Sequence, residues 1–251
     1  MKPMRQLVDD LLVAFQFLTR LPISRITYQH NSLSRAAKFF PVVGLVIGLG
    51  VSLLHRILTP HLDRALVALL LLTFLVLSTG GLHEDALADT ADAFGGGWNR
   101  EQVLTILRDS RIGSFGALAL VLSVLARFLL LSILPVNRFA ALVVSAHVLC
   151  RWTTLPLSYF LRPARDREGQ GARIAQQISP ASLLVGTLLS FAIVFYVMWS
   201  QFWIPIIAAL VITVLSGLYY CRRLGGITGD CFGATNQLTE IAVYFCGVWS
   251  V

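Results

Sequence analysis

The stretch "ALVALLLLTFLVLSTGGL", Ala65–Leu82, is followed directly by "HEDALADTADAFGGG", His83–Gly97. The first part is long and apolar enough to cross a lipid bilayer as a helix, which takes about 20 residues. The second part places four carboxylates within nine positions. No lysine or arginine occurs between Arg64 and Arg100, so no neighbour in sequence can neutralise these carboxylates. The fold has to accommodate an uncompensated acidic segment at the end of a membrane span.

The composition of the whole chain predicts a membrane protein. Of its 251 residues, 56% are hydrophobic and only 13% are charged, and the mean hydropathy is +0.75. Several near-continuous apolar runs of about 20 residues are each long enough to span a bilayer. We predict an all-α, polytopic membrane helical bundle of about six to seven transmembrane helices, built as a single domain over residues 1–251.

The positions of the spans follow from these apolar runs. The predicted spans are Phe39–Leu54, Ala65–Leu82, Phe115–Leu134, Phe139–Phe160, Ser182–Ser200 and Phe202–Tyr220. For a shorter C-terminal piece, Leu238–Val251, the sequence leaves a full crossing open. At the N-terminus, the apolar positions from Leu7 to Leu18 recur at helical spacing, and the cleavage site of a secretory signal is missing. We predict an amphipathic helix there, at the membrane interface or packed under the bundle.

Basic residues predict the orientation, because cytoplasmic loops are enriched in lysine and arginine. With the N-terminus inside, fifteen of the 20 basic residues fall on the inner side. Three of them, Arg56, Arg64 and Arg138, fall outside, while Arg127 and Arg151 lie within spans. The same asymmetry explains the net charge of +7, so this charge does not indicate a nucleic-acid partner.

In this orientation, three polar segments that contain glycine share the cytoplasmic side. They are Glu84–Asp92, Asp109–Gly113 and Gly225–Gln237. If the span from Ala65 continues as a helix through the first of them, Asp85, Asp89 and Asp92 fall within about 60° of one another on its surface. Like charges so placed repel each other, and a bound divalent cation would relieve the repulsion. Oxygen ligands of this kind favour Mg²⁺ or Mn²⁺, although a solvated acidic helix end is the alternative.

The other two segments carry residue types that bind phosphate. Arg108 and Arg111 can make forked contacts to phosphate oxygens, and Asp109 between them is a further candidate metal ligand. The third segment offers backbone N–H groups at its glycines, among them Gly226 and Gly229. Further candidates are Asp230 and Asn236 in that segment, His83 before the acids and Arg151 in its span. For Arg127 and Arg151, a structural ion pair is the alternative to substrate binding.

The motifs together resemble the signature of the cobalamin synthase family, the adenosylcobinamide-GDP ribazoletransferases. The resemblance rests on "TGGLHEDALADTADAFGGG" followed by "ILRDSRIGSFGALALVL". It extends to "FLTRLPI", "FPVVGLVIG" and "GGITGDCFGATNQLTE", and so covers nearly the whole chain. Alanine stands at Ala86 and Ala93, where the family usually has glycine.

The resemblance implies a Mg²⁺-dependent transferase of vitamin B12 biosynthesis in the bacterial cytoplasmic (inner) membrane, with its active site facing the cytoplasm. The ribose 3′-hydroxyl of α-ribazole or its 5′-phosphate would attack the cobinamide-proximal phosphorus of adenosylcobinamide-GDP. GMP would leave, and adenosylcobalamin or its 5′-phosphate would remain. Membrane lipid surrounds such a protein. The sequence leaves open a homo-oligomer and contacts with other cobalamin-assembly enzymes.

The expected site residues fall into three groups. Metal ligation is expected from Glu84, Asp85, Asp89, Asp92, Asp109 and Asp230. Catalytic roles are expected for His83, Asp85, Asp89 and Asp92, with Asp92 or His83 accepting the proton of the attacking hydroxyl. Substrate phosphate is expected to contact Arg108, Arg111, Arg151, Gly226, Gly229 and Asn236.

Two other functions compete with this interpretation. A CDP-alcohol phosphatidyltransferase-like enzyme also uses aspartates on helices, but the early D-G-x-x-A-R part of its pattern is missing here. A cation transporter would place acids near the middle of its spans, whereas these acids cluster at span ends.

Overall fold

The computed structural model describes residues 2–23, 31–164 and 178–249. Arg25, Arg165, Arg167 and Arg173, which we assigned to the inner side, lie outside the described residues, as does Val251. The helices are α1 (Lys2–Leu18), α2 (Ser32–Ala36), α3 (Phe40–Leu58), α4 (Arg64–Thr79), α5 (Leu82–Gly96), α6 (Arg100–Ile106), α7 (Ser114–Ile133), α8 (Phe139–Trp152), α9 (Thr154–Phe160), α10 (Pro180–Met198), α11 (Trp203–Leu224) and α12 (Gly229–Trp249). In the described ranges, the β-structure is limited to a single bridge between Pro163 and Ile227.

The predicted helical membrane bundle is confirmed. Five helical stretches are long and apolar enough to cross a bilayer: Ser32–Leu58, Ser114–Ile133, Phe139–Phe160, Pro180–Gln201 and Trp203–Leu224. The pair formed by α4 and α5 also passes this test, which makes up to six spans, but its two helices meet at 86°.

The predicted span Phe139–Phe160, which consists of α8 and α9, is the central span of the bundle. In its most apolar stretch, 83% of the residues are buried inside the protein. In the corresponding stretch of Pro180–Gln201 only 22% are buried, so that helix lies on the outside of the bundle. Gly44 and Gly48 of α3 lie directly against α8. A side chain at Gly44 would collide with the carbonyl of His147, and one at Gly48 would lie 2.8 Å from Val144 Cα. Small residues four apart therefore let two helix backbones approach closely in the membrane.

The C-terminal helix α12 differs from our prediction. We predicted a polar loop up to Gln237 and a doubtful span from Leu238, but one helix runs from Gly229 to Trp249. It packs against α5, α7, α8 and α11 in the middle of the bundle. Burial among other helices explains why its polar residues are tolerated, since they face protein rather than lipid.

The predicted amphipathic N-terminal helix is confirmed as α1, which packs on the start of the bundle. Val13 and Ala14 are buried, whereas Met4 is exposed. The buried carboxylate of Asp10 accepts hydrogen bonds from Arg35 at 3.1 Å and Lys38 at 3.0 Å. These ion pairs hold α1 against α2 and the residues that lead into α3.

Candidate active site

A sharp bend after α4 positions the acidic segment. Gly80 and Gly81 both adopt left-handed backbone conformations, with φ of 68° and 71°. Residues with a Cβ rarely adopt this conformation, so the two glycines end α4 and allow α5 to start in a new direction. Contrary to our prediction, the span from Ala65 does not continue as one helix through the acids. After the 86° bend, α5 packs along α7 and α12, with Glu84 against Arg127 inside the bundle and Asp92 at the start of α7.

The three polar segments meet at this same end of the bundle, as predicted. Arg223, at the end of α11, donates a hydrogen bond to the carbonyl of Gly97 at 2.7 Å. Arg100, at the start of α6, donates to the carbonyl of Leu224 at 2.8 Å. The loop before α7 is tied to α5 through Asp92, described below. The acids, the Asp109 loop and the start of α12 therefore form one continuous surface.

A cavity of about 190 Å³ opens at this end, between α1, α3, α5, α9 and α12. Five of the predicted site residues line it: His83, Asp85, Gly229, Asp230 and Asn236. Further lining residues that our sequence analysis did not single out are Phe17, Leu18, Phe40, Thr154 and Phe232. A single sequence does not identify these residues as part of a site, because similar apolar or small residues occur throughout the spans.

Asp89 lies one turn after Asp85 on α5 and is half-buried. Burial and the negative charge of Asp85 raise the pKa of Asp89 to about 6, and the charges of Asp230 and Asp92 act in the same direction. The carboxylates of α5 and α12 are thus close enough to repel one another. Oxygen donors of this kind suit a hard divalent cation. In this structure the ligand atoms of these described carboxylates do not all lie within 4.8 Å of one another, so a bound ion would have to draw them together.

His83 faces the interior of the cavity and is buried. Burial lowers the pKa of His83 far below its ordinary value, and the positive charge of Arg151 adds to this effect. The imidazole is therefore neutral near pH 7 and can accept a hydrogen bond from a bound hydroxyl group.

Glu84 does not belong to the acidic group of the cavity, which corrects our prediction of a metal ligand. Its Oε1 lies 2.6 Å from Nη1 of Arg127, which is 1% exposed. Nε of Arg127 also contacts Oε1 of Glu240 at 3.1 Å, and Nη1 contacts Oε1 of Gln237 at 3.0 Å. Arg127 therefore joins α5 to α12 through a buried network, in keeping with the structural alternative that we considered for it.

Asp92 also has a different role from the predicted metal ligand or base. Its Oδ2 accepts a hydrogen bond from the backbone N–H of Gly113 at 2.7 Å, and its Oδ1 accepts one from Gly116 at 2.8 Å. Both donors lie at the start of α7, where backbone N–H groups have no partner within the helix. Asp92 thus caps α7 and ties it to α5.

Arg151 lies inside the bundle, away from the position that we predicted for a phosphate ligand. It is 2% exposed, and its Nη1 lies 2.8 Å from Nδ1 of His147 and 3.0 Å from Sγ of Cys150. Within the described ranges, His147, Cys150 and Glu240 are the only His, Cys, Asp or Glu group whose ligand atoms all lie within 4.8 Å of one another. The guanidinium group of Arg151 already supplies a cation there, so this cluster is not a metal site.

The predicted phosphate ligands of the middle segment are exposed. Asp109 forms an ion pair with Arg111 at 2.6 Å, and the side chain of Arg111 is 87% exposed. Hydrogen bonds from Arg111 lower the pKa of Asp109 to about 2. Arg108 is exposed nearby, and these three residues do not line the cavity.

The glycines of the third segment mainly allow close packing of the backbone, and they do not form an open loop that could bind phosphate. A side chain at Gly226 would collide with the carbonyl of Arg162, and one at Gly233 would collide with Ala86. Gly229 lies at the first position of α12 and lines the cavity. Close contact between α5 and α12 therefore depends on small residues on both helices.

Comparison with known proteins identifies relatives over almost the whole chain. The sequence model of the cobalamin-5-phosphate synthase family matches residues 10–248. An adenosylcobinamide-GDP ribazoletransferase from a Polaromonas species is 36% identical and covers 97% of this chain and 98% of its own. Proteins with the same name from Vibrio cholerae and Clostridium botulinum are 32% and 33% identical, and cover 96% and 95% of this chain and 94% and 96% of their own. No solved structure matches the chain.

Proposed function

Because this chain belongs to the cobalamin-5-phosphate synthase family, we propose that it joins adenosylcobinamide-GDP to α-ribazole or α-ribazole 5′-phosphate and releases GMP. Membership confirms the resemblance that the sequence motifs indicated and the prediction of a cobalamin-forming transferase. The observation that carries the detailed proposal is that Asp85 and Asp230, from two separate motif segments, line one cavity at the end of the bundle.

The proposed reaction is a phosphoryl substitution. The 3′-hydroxyl oxygen of the acceptor ribose forms a bond to the cobinamide-proximal phosphorus, and the bond from that phosphorus to the bridging oxygen of the diphosphate breaks. GMP leaves with the bridging oxygen, and the hydroxyl proton passes to a carboxylate of the acidic group. His83, whose imidazole is neutral, accepts a hydrogen bond from the neighbouring 2′-hydroxyl group of the same ribose and so orients the attacking group. Such transfers depend mainly on positioning and on neutralisation of charge.

We propose Mg²⁺ or Mn²⁺ as the cofactor, held by Asp85, Asp89 and Asp230. The fit rests on the donor set, which consists of carboxylate oxygens. The raised pKa of Asp89 reflects burial first and then the negative charges of Asp85, Asp230 and Asp92, and a divalent cation would relieve that repulsion. When bound, the ion neutralises the charge of the diphosphate and of the developing phosphate leaving group. Glu84 and Asp92 are left out of this set because they bind Arg127 and the start of α7, and Asp109 because it pairs with Arg111 away from the cavity. Asp230 is kept because it lines the cavity, where its Oδ2 accepts a hydrogen bond from Thr228 at 3.3 Å.

We propose that the site faces the cytoplasm of a bacterial cytoplasmic (inner) membrane. The support is the excess of basic residues that the sequence assigns to the inner side, the side to which it also assigns the three polar segments, fifteen against three. Adenosylcobinamide-GDP carries a diphosphate and the acceptor carries a polar ribose, so a site at the cytoplasmic end admits both substrates without a path through lipid.

The proposal is tested by mass-resolved GMP release from adenosylcobinamide-GDP by the purified protein. The acceptors are α-ribazole and its 5′-phosphate, each with and without Mg²⁺. Asp85→Asn should lower turnover about 100-fold or more, as the loss of a group that stabilises charge does. The matched control is Asp63→Asn, an exposed aspartate at the opposite end of α4, which should keep full activity.

The same assay separates the alternatives. Absence of GMP release with both acceptors would refute the proposed reaction. Release of CMP from a CDP-alcohol would support the phosphatidyltransferase-like alternative instead. Equal activity of Asp85→Asn and the parent protein would remove the cavity from the mechanism.

A further inference from the structure

The cavity between α1, α5 and α12 has two carboxylates at its mouth and a mostly apolar wall inside, where His83, Thr154 and Asn236 supply polar groups. Asp85 is exposed and Asp230 is half-buried, so these two carboxylates mark the mouth. The inner wall contains Leu18, Phe40 and Phe232, which are 4%, 1% and 4% exposed. A matching ligand carries an apolar group that enters the cavity and a polar end that stays beside the acids.

The volume of the cavity restricts that apolar group to a small ring system. The cavity encloses about 190 Å³, and an apolar protein cavity of about 150 Å³ is enough to bind benzene. A corrin macrocycle with its side chains and nucleotide is far larger. The heterocyclic bases of both proposed substrates are of a size to enter. The mostly apolar wall favours the base of the acceptor nucleoside, which carries two methyl groups, over the guanine of adenosylcobinamide-GDP, whose edge has several polar groups that this wall would leave unpaired.

The wall of the cavity combines aromatic rings with polar groups that a flat heterocyclic base can contact. The rings of Phe17 and Phe40 stack, with centroids 5.8 Å apart and an interplanar angle of 14°. The Asn236 amide donates to the carbonyl of Phe232 at 2.8 Å, which holds this part of the wall in place. Thr154 lines the cavity as well, and its hydroxyl group can donate to a ring nitrogen.

We propose that this cavity is the subsite for the base of the acceptor nucleoside. The base lies against Leu18, Phe40 and Phe232, and the ribose with its attacking hydroxyl group lies at the mouth beside Asp85 and Asp230. This inference rests on the proposed function. Helix α1, which contributes Phe17 and Leu18, then forms one wall of the subsite and helps to select the base.

The test changes the size of the cavity at Leu18 and compares acceptors of different size. Leu18→Phe should raise the KM for α-ribazole about 10-fold or more, in the range by which one misfitting methylene is discriminated. The KM for adenosylcobinamide-GDP should stay within about twofold of the parent value, because that substrate lies outside the cavity. The matched control is Leu7→Phe on the exposed face of α1, which should change neither KM.

A second measurement guards against a variant that is merely damaged. In Leu18→Phe, the KM should rise less for a benzimidazole riboside, which lacks the two methyl groups of α-ribazole, than for α-ribazole itself. The smaller base leaves room for the larger side chain. Leu18→Ala should shift the preference in the opposite direction, toward a riboside with a three-ring base. A general folding defect would lower activity with all acceptors equally.

The outcomes distinguish an error in the proposed subsite from an error in the proposed reaction. Equal losses for small and large bases, or a rise in the KM for adenosylcobinamide-GDP alone, would overturn the subsite while the proposed reaction stands. Failure of the parent protein to release GMP with any acceptor would overturn the proposed function and, with it, the subsite.

Discussion

Replacement of Arg127 by methionine should destabilise the protein strongly. Arg127 is buried and contacts Glu84 at 2.6 Å and Glu240 at 3.1 Å, so its removal leaves two buried carboxylates without their cation. Removing one partner of a buried ion pair costs about 3–5 kcal/mol. For a chain of this size, that corresponds to a fall in Tm of about 6–20 °C.

The assay is thermal unfolding of the purified protein in detergent, followed by the loss of the monodisperse peak in size-exclusion chromatography. The matched control is Arg56→Met, an exposed arginine at the end of α3, which should change stability by less than about 0.5 kcal/mol. Combining Arg127→Met with Glu84→Gln should cost less than the sum of the single changes, because the pair shares one interaction. A Tm for Arg127→Met within about 2 °C of the control would refute the idea that this network holds α5 to α12, because ordinary surface substitutions change the Tm by a similar amount.

Three further predictions follow from the site. Asp92→Ala removes the acceptor for two backbone N–H groups at the start of α7, and should cost about 0.5–2 kcal/mol of stability; an unchanged Tm would contradict the capping role. The pKa of Asp89 is raised to about 6, so the folded protein binds a proton there more readily than the unfolded chain does, and its stability increases as the pH falls toward 5. Asp89→Asn should therefore raise the Tm in EDTA at pH 7.5 but not at pH 5. The same variant should abolish turnover at both pH values. A lower Tm at pH 7.5 would show that the negative charge of Asp89 is not destabilising in the folded protein. Gly233→Ala places a methyl group against Ala86 and should lower both the Tm and the activity. The matched control is Gly96→Ala, where the methyl group meets only the end of the Ile106 side chain at 3.3 Å, and which should leave the contact between α5 and α12 intact.

Some features of the site were predictable because they depend on residues close together in the sequence. The acidic segment is helical, and Asp85 and Asp89 lie one turn apart on it, as their spacing predicts. The three polar segments emerge at one end because the number of spans between them determines the side on which each lies. The family motifs likewise consist of short contiguous stretches.

Other features depend on how helices pack, and spacing could not supply them. Glu84 and Asp85 are neighbours on α5, but they point in different directions around it. One meets Arg127, which lies 43 residues further along the chain, and the other meets the cavity. Asp92 fits the acidic stripe by spacing, yet the start of α7 lies within reach and takes both of its oxygens.

The sequence by itself therefore determined that the chain is a membrane bundle, how its spans are ordered, and to which family it belongs. These properties follow from local hydrophobicity, charge and motif identity. Only the tertiary structure decided which carboxylates remain available at the cavity, that α4 and α5 meet at 86° across two left-handed glycines, and that α12 begins at Gly229. The physical reason is that the partner of a side chain is set by which distant helices approach it, and that approach depends on the packing of the whole bundle.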